Sequence, residues 1–215
     1  FEGTTASLIT DPTSQGSTNK VLKYVEDATA KSYAGVSMGL DSAFSVDPIA
    51  FDVAAGETAI SARVWVDSNY GIGQVVRMQV ADTSGSNDAH YVEAQATITQ
   101  SGWNTLVFDF SSPVSRWVSA SGAAAITSLS SDVVYDKISM FIDWNNGYAW
   151  DGAAVGTPPS AERTYYIDDV TFIGQAPAPT ASFTTLNFSG SGYQFDDFEG
   201  TTASLITDPT SQGST

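Results

Sequence analysis

Apolar and polar residues alternate with a period of two through most of the chain, and no stretch of useful length carries a 3.6-residue stripe. Candidate strands by this pattern are Ser7–Thr10, Lys20–Glu26, Gly35–Leu40, Ile49–Val53, Thr58–Asp67, Gln74–Asp82, His90–Thr99, Trp103–Phe110, Tyr135–Trp144 and Arg163–Ile173. Turn-forming segments such as DTSGSND after Ala81 and QSG before Trp103 separate them. Many short strands at this spacing predict an all-β chain, folded as an antiparallel β-sandwich of two sheets.

The alternation also assigns faces. In Thr58–Asp67, Ile60, Ala62, Val64 and Val66 point one way and Ser61, Arg63, Trp65 and Asp67 the other. Val76, Met78 and Val80 oppose Arg77 and Gln79 in the next strand. In the one after, Val92, Ala94, Ala96 and Ile98 oppose Tyr91, Glu93, Gln95 and Thr97. The three strands are expected to share a packed inner face and a polar, aromatic-bearing outer face. Leu106, Phe108 and Phe110 are expected to point inward as well.

The chain repeats itself. Phe1 to Thr18 reads FEGTTASLITDPTSQGST, and Phe198 to Thr215 repeats it without a mismatch, a displacement of 197 residues. An identity of this length does not arise by chance in so short a chain, and tandem modules of that period explain it. The stretch GQAPAPTAS, Gly174 to Ser182, has the composition of a short extended spacer. The expected organisation is therefore a sandwich module over 1–174 whose opening strands lie upstream, a linker over 175–182, and the opening strands of the next repeat over 183–215. On this reading the chain is a window cut from a longer array. Residues Phe183–Thr215 are expected to extend onto an adjacent copy, or to occupy that edge from a neighbouring chain, rather than complete the sandwich that precedes them, because unpaired opening strands leave a sticky sheet edge.

The segments VRMQV, HYVEAQATIT, SGWNTLVFDF, YDKISMFID and TYYIDDVTF follow one another in an order that resembles a family of jelly-roll carbohydrate-binding modules. Such modules are appended to bacterial polysaccharide-degrading enzymes and surface proteins. The resemblance covers roughly Asp11 to Gly174, with an opening-strand pattern at Thr184–Phe198. It implies a jelly roll of two facing antiparallel sheets, no catalysis and, often, a bound structural calcium ion. In the family a glutamate of the opening strand often completes the calcium site, whereas the aligned Leu186–Ser189 segment here offers Ser189.

Three clusters carry candidate chemistry. The first is the predicted outer face with Arg63, Trp65, Arg77, Gln79, Tyr91, Glu93 and Gln95. Aromatic rings stack on the C–H faces of sugars and planar polar side chains bridge their hydroxyls, so this set is equipped for a glycan. The plainer reading is cross-strand pairing of Arg63 or Arg77 with Glu93. The second is the loop DWNNGYAWDGAAVGTPPSAER, where Trp144, Tyr148 and Trp150 lie within seven residues. Its Gly/Pro-rich irregularity predicts exposed rings that touch a glycan or a neighbouring module, or else a local mini-core. The third is Asp168–Asp169 in YYIDDV, the calcium position that the resemblance implies. Adjacent residues of a regular strand face opposite ways, so only one of the two would reach an ion there.

Composition narrows the function. Eight basic residues against twenty-four acidic ones give a net charge of −16, which disfavours nucleic acid and anionic membrane surfaces. Strongly anionic polymers are disfavoured too, so a neutral polysaccharide is the expected ligand if there is one. Cysteine is absent, which excludes disulfides and thiolate metal sites without excluding secretion. No apolar run approaches the ~18 residues needed to span a bilayer, and His90 is the lone histidine. Metal triads and Ser-His-Asp chemistry thus lack parts, and no enzyme activity is expected. The sequence reads as a bacterial repeat module, secreted or at the cell surface, in a fibre- or adhesin-type filament. Its partners would be adjacent identical modules or chains. The alternative is a glycan-binding module accessory to a polysaccharide-degrading enzyme.

Overall fold

The computed structural model describes residues 3–14, 16–40, 44–83, 90–114, 128–144, 146–148, 152–173, 194–196 and 204–205. Every regular element among them is a strand: β1 (Thr4–Thr10), β2 (Lys20–Glu26), β3 (Val36–Gly39), β4 (Ala59–Val66), β5 (Val75–Ala81), β6 (Tyr91–Thr97), β7 (Gly102–Asp109), β8 (Lys137–Phe141), β9 (Gly147–Tyr148), β10 (Ala154–Val155), β11 (Arg163–Ile173), β12 (Gln194–Asp196) and β13 (Ser204–Leu205). One sheet runs β13-β1-β2-β11-β4-β7, the other β12-β3-β8-β5-β6, and β9 and β10 form a separate ribbon. All pairings are antiparallel except β13 on β1. The fold is a two-sheet antiparallel β-sandwich.

The inner faces are those the alternation predicts. Ile60, Ala62, Val64 and Val66 of β4 face Val76, Met78 and Val80 of β5 across the core, all fully buried. Val92, Ala94, Leu106, Phe108 and Phe110 join them. At one place in the core Phe51 meets Phe110, Tyr135 and Phe172 edge-on, with ring centroids 5.5, 5.7 and 5.4 Å away. Tyr165 packs between Tyr24 at 5.9 Å and Tyr70 at 5.6 Å, and its hydroxyl donates to Gln74 Oε1 at 3.0 Å. Rings set edge to face gain beyond the area they bury, and the buried phenol keeps a partner.

Three expectations about the fold are corrected. Ile49–Val53 is not a strand, although Ile49 is buried and Phe51 packs on the core. Asp52 Oδ1 accepts the amide of Ala55 at 2.9 Å, Gly56 takes φ +77°, and Asp52 bridges Glu57, so the chain turns instead of running on. Second, β4 and β5 do not share a sheet. The eight residues Asp67–Gln74 arch over one end of the sandwich, with Asp67 Oδ1 accepting Asn69 N at 2.8 Å and glycines at φ +104° and +86°. A hairpin takes two to five residues, and this connection is longer.

Third, the described part of Phe183–Thr215 does not leave the sandwich. Gln194–Asp196 pairs antiparallel with Gly39–Ser37 and forms an edge of the five-stranded sheet. Ser204 and Leu205 lie beside Ser7 and Leu8, so the two copies of the repeated segment meet within one sandwich. An unpaired edge presents a row of free N–H and C=O groups, and the nearest chain able to satisfy them is this one. The linker 175–182 lies outside the described residues.

Gly147 shows how tightly the connections pack. Its φ is +139°, and a Cβ there would sit 2.6 Å from the carbonyl oxygen of Ala30 and 2.9 Å from Ser32 N. Gly147→Ala is expected to cost about 1–3 kcal/mol, from backbone strain at a position that cannot move away. Urea denaturation monitored by tryptophan fluorescence would measure it.

Candidate functional site

Because β4 belongs to one sheet and β5 and β6 to the other, the residues expected on one outer face lie on opposite sides of the molecule. Arg63 and Trp65 stand on the outside of the six-stranded sheet. Arg77, Gln79, Tyr91, Glu93 and Gln95 stand on the outside of the five-stranded one. Strands of both sheets alternate in the same way toward the one core they share, so alternation separates in from out but not one sheet from the other.

On the six-stranded sheet, register assembles a row that no single segment reveals. Ser7, Lys23, Tyr166, Trp65 and Trp103 are successive cross-strand partners over β1, β2, β11, β4 and β7. Tyr166, Trp65 and Trp103 are partly exposed neighbours, and the Trp65 and Tyr166 rings are 5.2 Å apart at 49°. Trp103 is fixed from both sides: its Nε1 donates to Thr13 Oγ1 at 2.8 Å, and Arg63 lies 4.4 Å over its ring. Sequence reasoning found Trp65 and Arg63 but missed Trp103 and Tyr166. Outward alternation in β7 was a usable signal for Trp103, while the pairing of Tyr166 with Trp65 is long-range.

Asp168 and Asp169 lie beside this row, just past Tyr166 on β11, with Asp168 opposite Arg63. The register of β11 against β4 shifts between Asp168 and Thr171, and Asp169 has φ +47°, so a bulge replaces the regular strand in which the two would face opposite ways. Asp168 is buried, accepts Asn19 Nδ2 at 2.7 Å and the Asp169 amide at 2.9 Å, and burial raises its carboxyl to about 6. Asp169 pairs with Arg63 at 3.3 Å across a solvent-exposed contact. Calcium takes six to eight oxygen ligands, and these two carboxylates are instead met by N–H donors and a guanidinium. Among the described residues no three metal-ligating side chains converge here or elsewhere. Leu186–Ser189, the segment aligned with the rest of the calcium site in the resembling family, lies outside the described residues.

The centre of the five-stranded sheet's outer face is filled by paired polar groups. Ser37, Ser139, Gln79 and Glu93 are successive cross-strand partners. The Ser37 and Ser139 hydroxyls share a hydrogen bond of 2.7 Å. Arg77 Nη1 donates to Glu93 Oε2 at 2.6 Å, with 8% and 3% of the two side chains exposed. Arg77 also lies 4.4 Å over the ring of Trp144, which is itself buried against Phe141. Of the two charge pairings considered for Glu93, the one with Arg77 is formed. Gln95 is exposed and Tyr91 half-buried on the same face.

Trp144 is therefore corrected from an exposed loop ring to a buried one. Asp143 takes φ +60°, which turns the chain so that the Trp144 amide donates to Val75 O at 2.9 Å and the ring folds back over Arg77. Tyr148 lies in the β9–β10 ribbon, opposite Ala154. Trp150 lies outside the described residues.

A third polar cluster sits inside the sandwich. Glu26 and Asp143 are each about 1% exposed. Asp143 binds Arg163 and accepts Asn146 Nδ2 at 2.5 Å, whereas Glu26 Oε2 has no hydrogen-bond partner. Burial, with the neighbouring Asp143 charge second, pushes Glu26 up to about 9, so it is protonated at neutral pH. Burial also raises Asp143, opposed by Asn146 and Arg163.

No protein-family model matches this chain, and neither does any curated protein. No helix among the described residues is long and apolar enough to cross a membrane.

Two predictions follow from the buried charges. A carboxyl whose folded pKa is raised stabilises fully below its unfolded pKa, near 4, and that stability is lost as pH climbs through the folded value. Glu26 is accordingly expected to make the protein less stable between about pH 5 and 9, by up to a few kcal/mol. Glu26→Gln should flatten that decline, as read from melting temperature against pH. Glu93→Ala strips Arg77 of its buried carboxylate and should cost about 3–5 kcal/mol, whereas Arg77→Met with Glu93→Leu should recover most of it. Urea titration of the wild type and these two variants checks this.

Proposed function

We propose that the chain is a non-catalytic β-sandwich repeat of a long extracellular or cell-surface protein, built as a fibre- or adhesin-type scaffold from adjacent identical modules. The observation that carries this reading is the eighteen-residue recurrence at a displacement of 197 residues. Identical modules stacked in series need only neighbour contacts to build length, and each here has an apolar core that dispenses with disulfides. The acidic surface, −16 per chain, suits a polymer that must not collapse on itself. A non-catalytic role agrees with the state of two of the buried acids, Glu26 and Asp143, which are sealed from solvent beside Arg163.

The row Tyr166–Trp65–Trp103 favours a second reading, that the outer face of the six-stranded sheet holds a neutral polysaccharide. Neighbouring strands are spaced about 4.8 Å apart, so the three rings stand next to one another as an aromatic platform. Polar side chains at its border, Arg63, Asp169 and Lys23, offer donors and an acceptor to hydroxyls. Repetition along an array would multiply a weak affinity. On this reading the module is an accessory of polysaccharide binding or breakdown, with a fold like that of carbohydrate-binding modules.

Affinity electrophoresis against neutral and anionic β-glucans and galactans separates the two. If the platform binds, Trp65→Ala and Trp103→Ala should each weaken retention on a neutral polymer by roughly 1–3 kcal/mol, as loss of a stacked ring does at other binding sites. Anionic polymers should be retained less than neutral ones. Wild-type protein that migrates freely through every gel leaves the scaffold reading alone.

A further inference from the structure

The two copies of FEGTTASLITDPTSQGST are more than a mark of periodicity, because of what the first one does. As β1 it fills the edge of β2 from Thr4 opposite Glu26 to Thr10 opposite Lys20. Ala6 and Leu8 are buried in the core, and Thr4 Oγ1 donates to Gly35 O at 2.9 Å. Asp11 N donates to Asn19 O at 2.9 Å and its carboxylate caps Thr13, which in turn accepts from Trp103. Each group that this segment contributes to its seat lies within residues 1–18, so the copy at 198–215 carries the same set: Thr201, Ala203, Leu205, Asp208 and Thr210.

The second copy is also delivered in the right direction. Ser204 and Leu205 run parallel to β1 and in register with Ser7 and Leu8, each residue beside its own duplicate. Moving from there into the seat takes a shift of one strand spacing, about 4.8 Å, with no reversal and no change of register. The chain leading to it is long enough. Asp196 is held on β3, and five residue steps to Thr201 reach about 17 Å, whereas facing sheets lie only about 10 Å apart.

We propose that the edge of β2 is a binding seat for this eighteen-residue segment, and that the copy at 198–215 of the same chain takes it when the first copy is lost. Strand addition to an open edge supplies the main-chain hydrogen bonds, and the pockets for Ala6 and Leu8 supply the selectivity. With its second copy seated, the chain crosses from β12 directly into the six-stranded sheet as one run. Residues 1–18 are then the surplus strand. The segment is thus an interchangeable part, and the partner that the seat recognises is another copy of its own sequence.

Full-length chains test this. Leu8→Asp places a charge at a buried position of the first copy alone, and Leu205→Asp changes the matching residue of the second. Each single variant is expected to melt within about 4 °C of the wild type. The double variant is expected to fall far below the sum of the two or to lose its cooperative transition. A Leu8→Asp protein that melts as low as the double variant, or does not fold, overturns the proposal. A cross-link gives a second readout, since the chain has no cysteine. Ser7 faces Lys23 across β1 and β2, so Ser204 should face it once seated. In the Leu8→Asp background, Lys23→Cys with Ser204→Cys should form a disulfide within one chain on mild oxidation. No link, or a link found only between chains, overturns it.

Discussion

The inner faces of the two sheets can escape water only against each other, and the rest of the molecule depends on that mutual burial. Ile60, Val64, Val76, Met78, Phe108 and Ile138 are fully enclosed. At about 25 cal/mol per Å² of apolar area buried, a core of this kind offsets the conformational entropy of a domain without cross-links. The constraint also explains what is unusual inside. Glu26 lies on the inward side of β2, so it meets its burial by holding a proton rather than by finding a counter-ion. Tyr24 and Tyr165, packed beside it, have their hydroxyls pushed toward the neutral form for the same reason.

The outer faces, free of that constraint, have gone different ways. On the five-stranded sheet the ion pair Arg77–Glu93 is roofed by Trp144, and its charges are buried among polar neighbours. Removing two charges from water is costly unless geometry and hydrogen bonding are good, so the centre of this face is specified closely. On the six-stranded sheet the pair Arg63–Asp169 remains half in solvent and the rings of Trp65, Trp103 and Tyr166 stay partly open. Three adjacent aromatic rings thus stay against water on this face.

The edges join the two themes of core and repetition. β2 and β3 would each carry a bare edge without β1 and β12, and both of those strands come from the neighbourhood of the repeated segment. On the proposed reading, an array of such modules would have to close each sheet with a strand from the right copy. Proximity along the chain and sequence identity both bear on that choice, because loop-closure entropy grows slowly with length while identical side chains make identical contacts.

The sequence alone determined which positions are inside. Period-two alternation sorted Ile60–Val66, Val76–Val80 and Leu106–Phe110 correctly, and the bounds of β2 and β11 were readable from it, because side-chain direction along a strand is a local property of the backbone. The recurrence of the first eighteen residues was equally plain. Which strands stand side by side was not, since antiparallel pairing joins residues far apart, as Lys23 with Tyr166 and Tyr166 with Trp65. Only the tertiary structure split Arg63 and Trp65 from Arg77 and Glu93, and gathered Trp103 and Tyr166 beside Trp65. It also folded Trp144 down over Arg77 through one left-handed residue at Asp143. Outward positions look alike in any strand, and what they can bind depends on the neighbours that register brings to them.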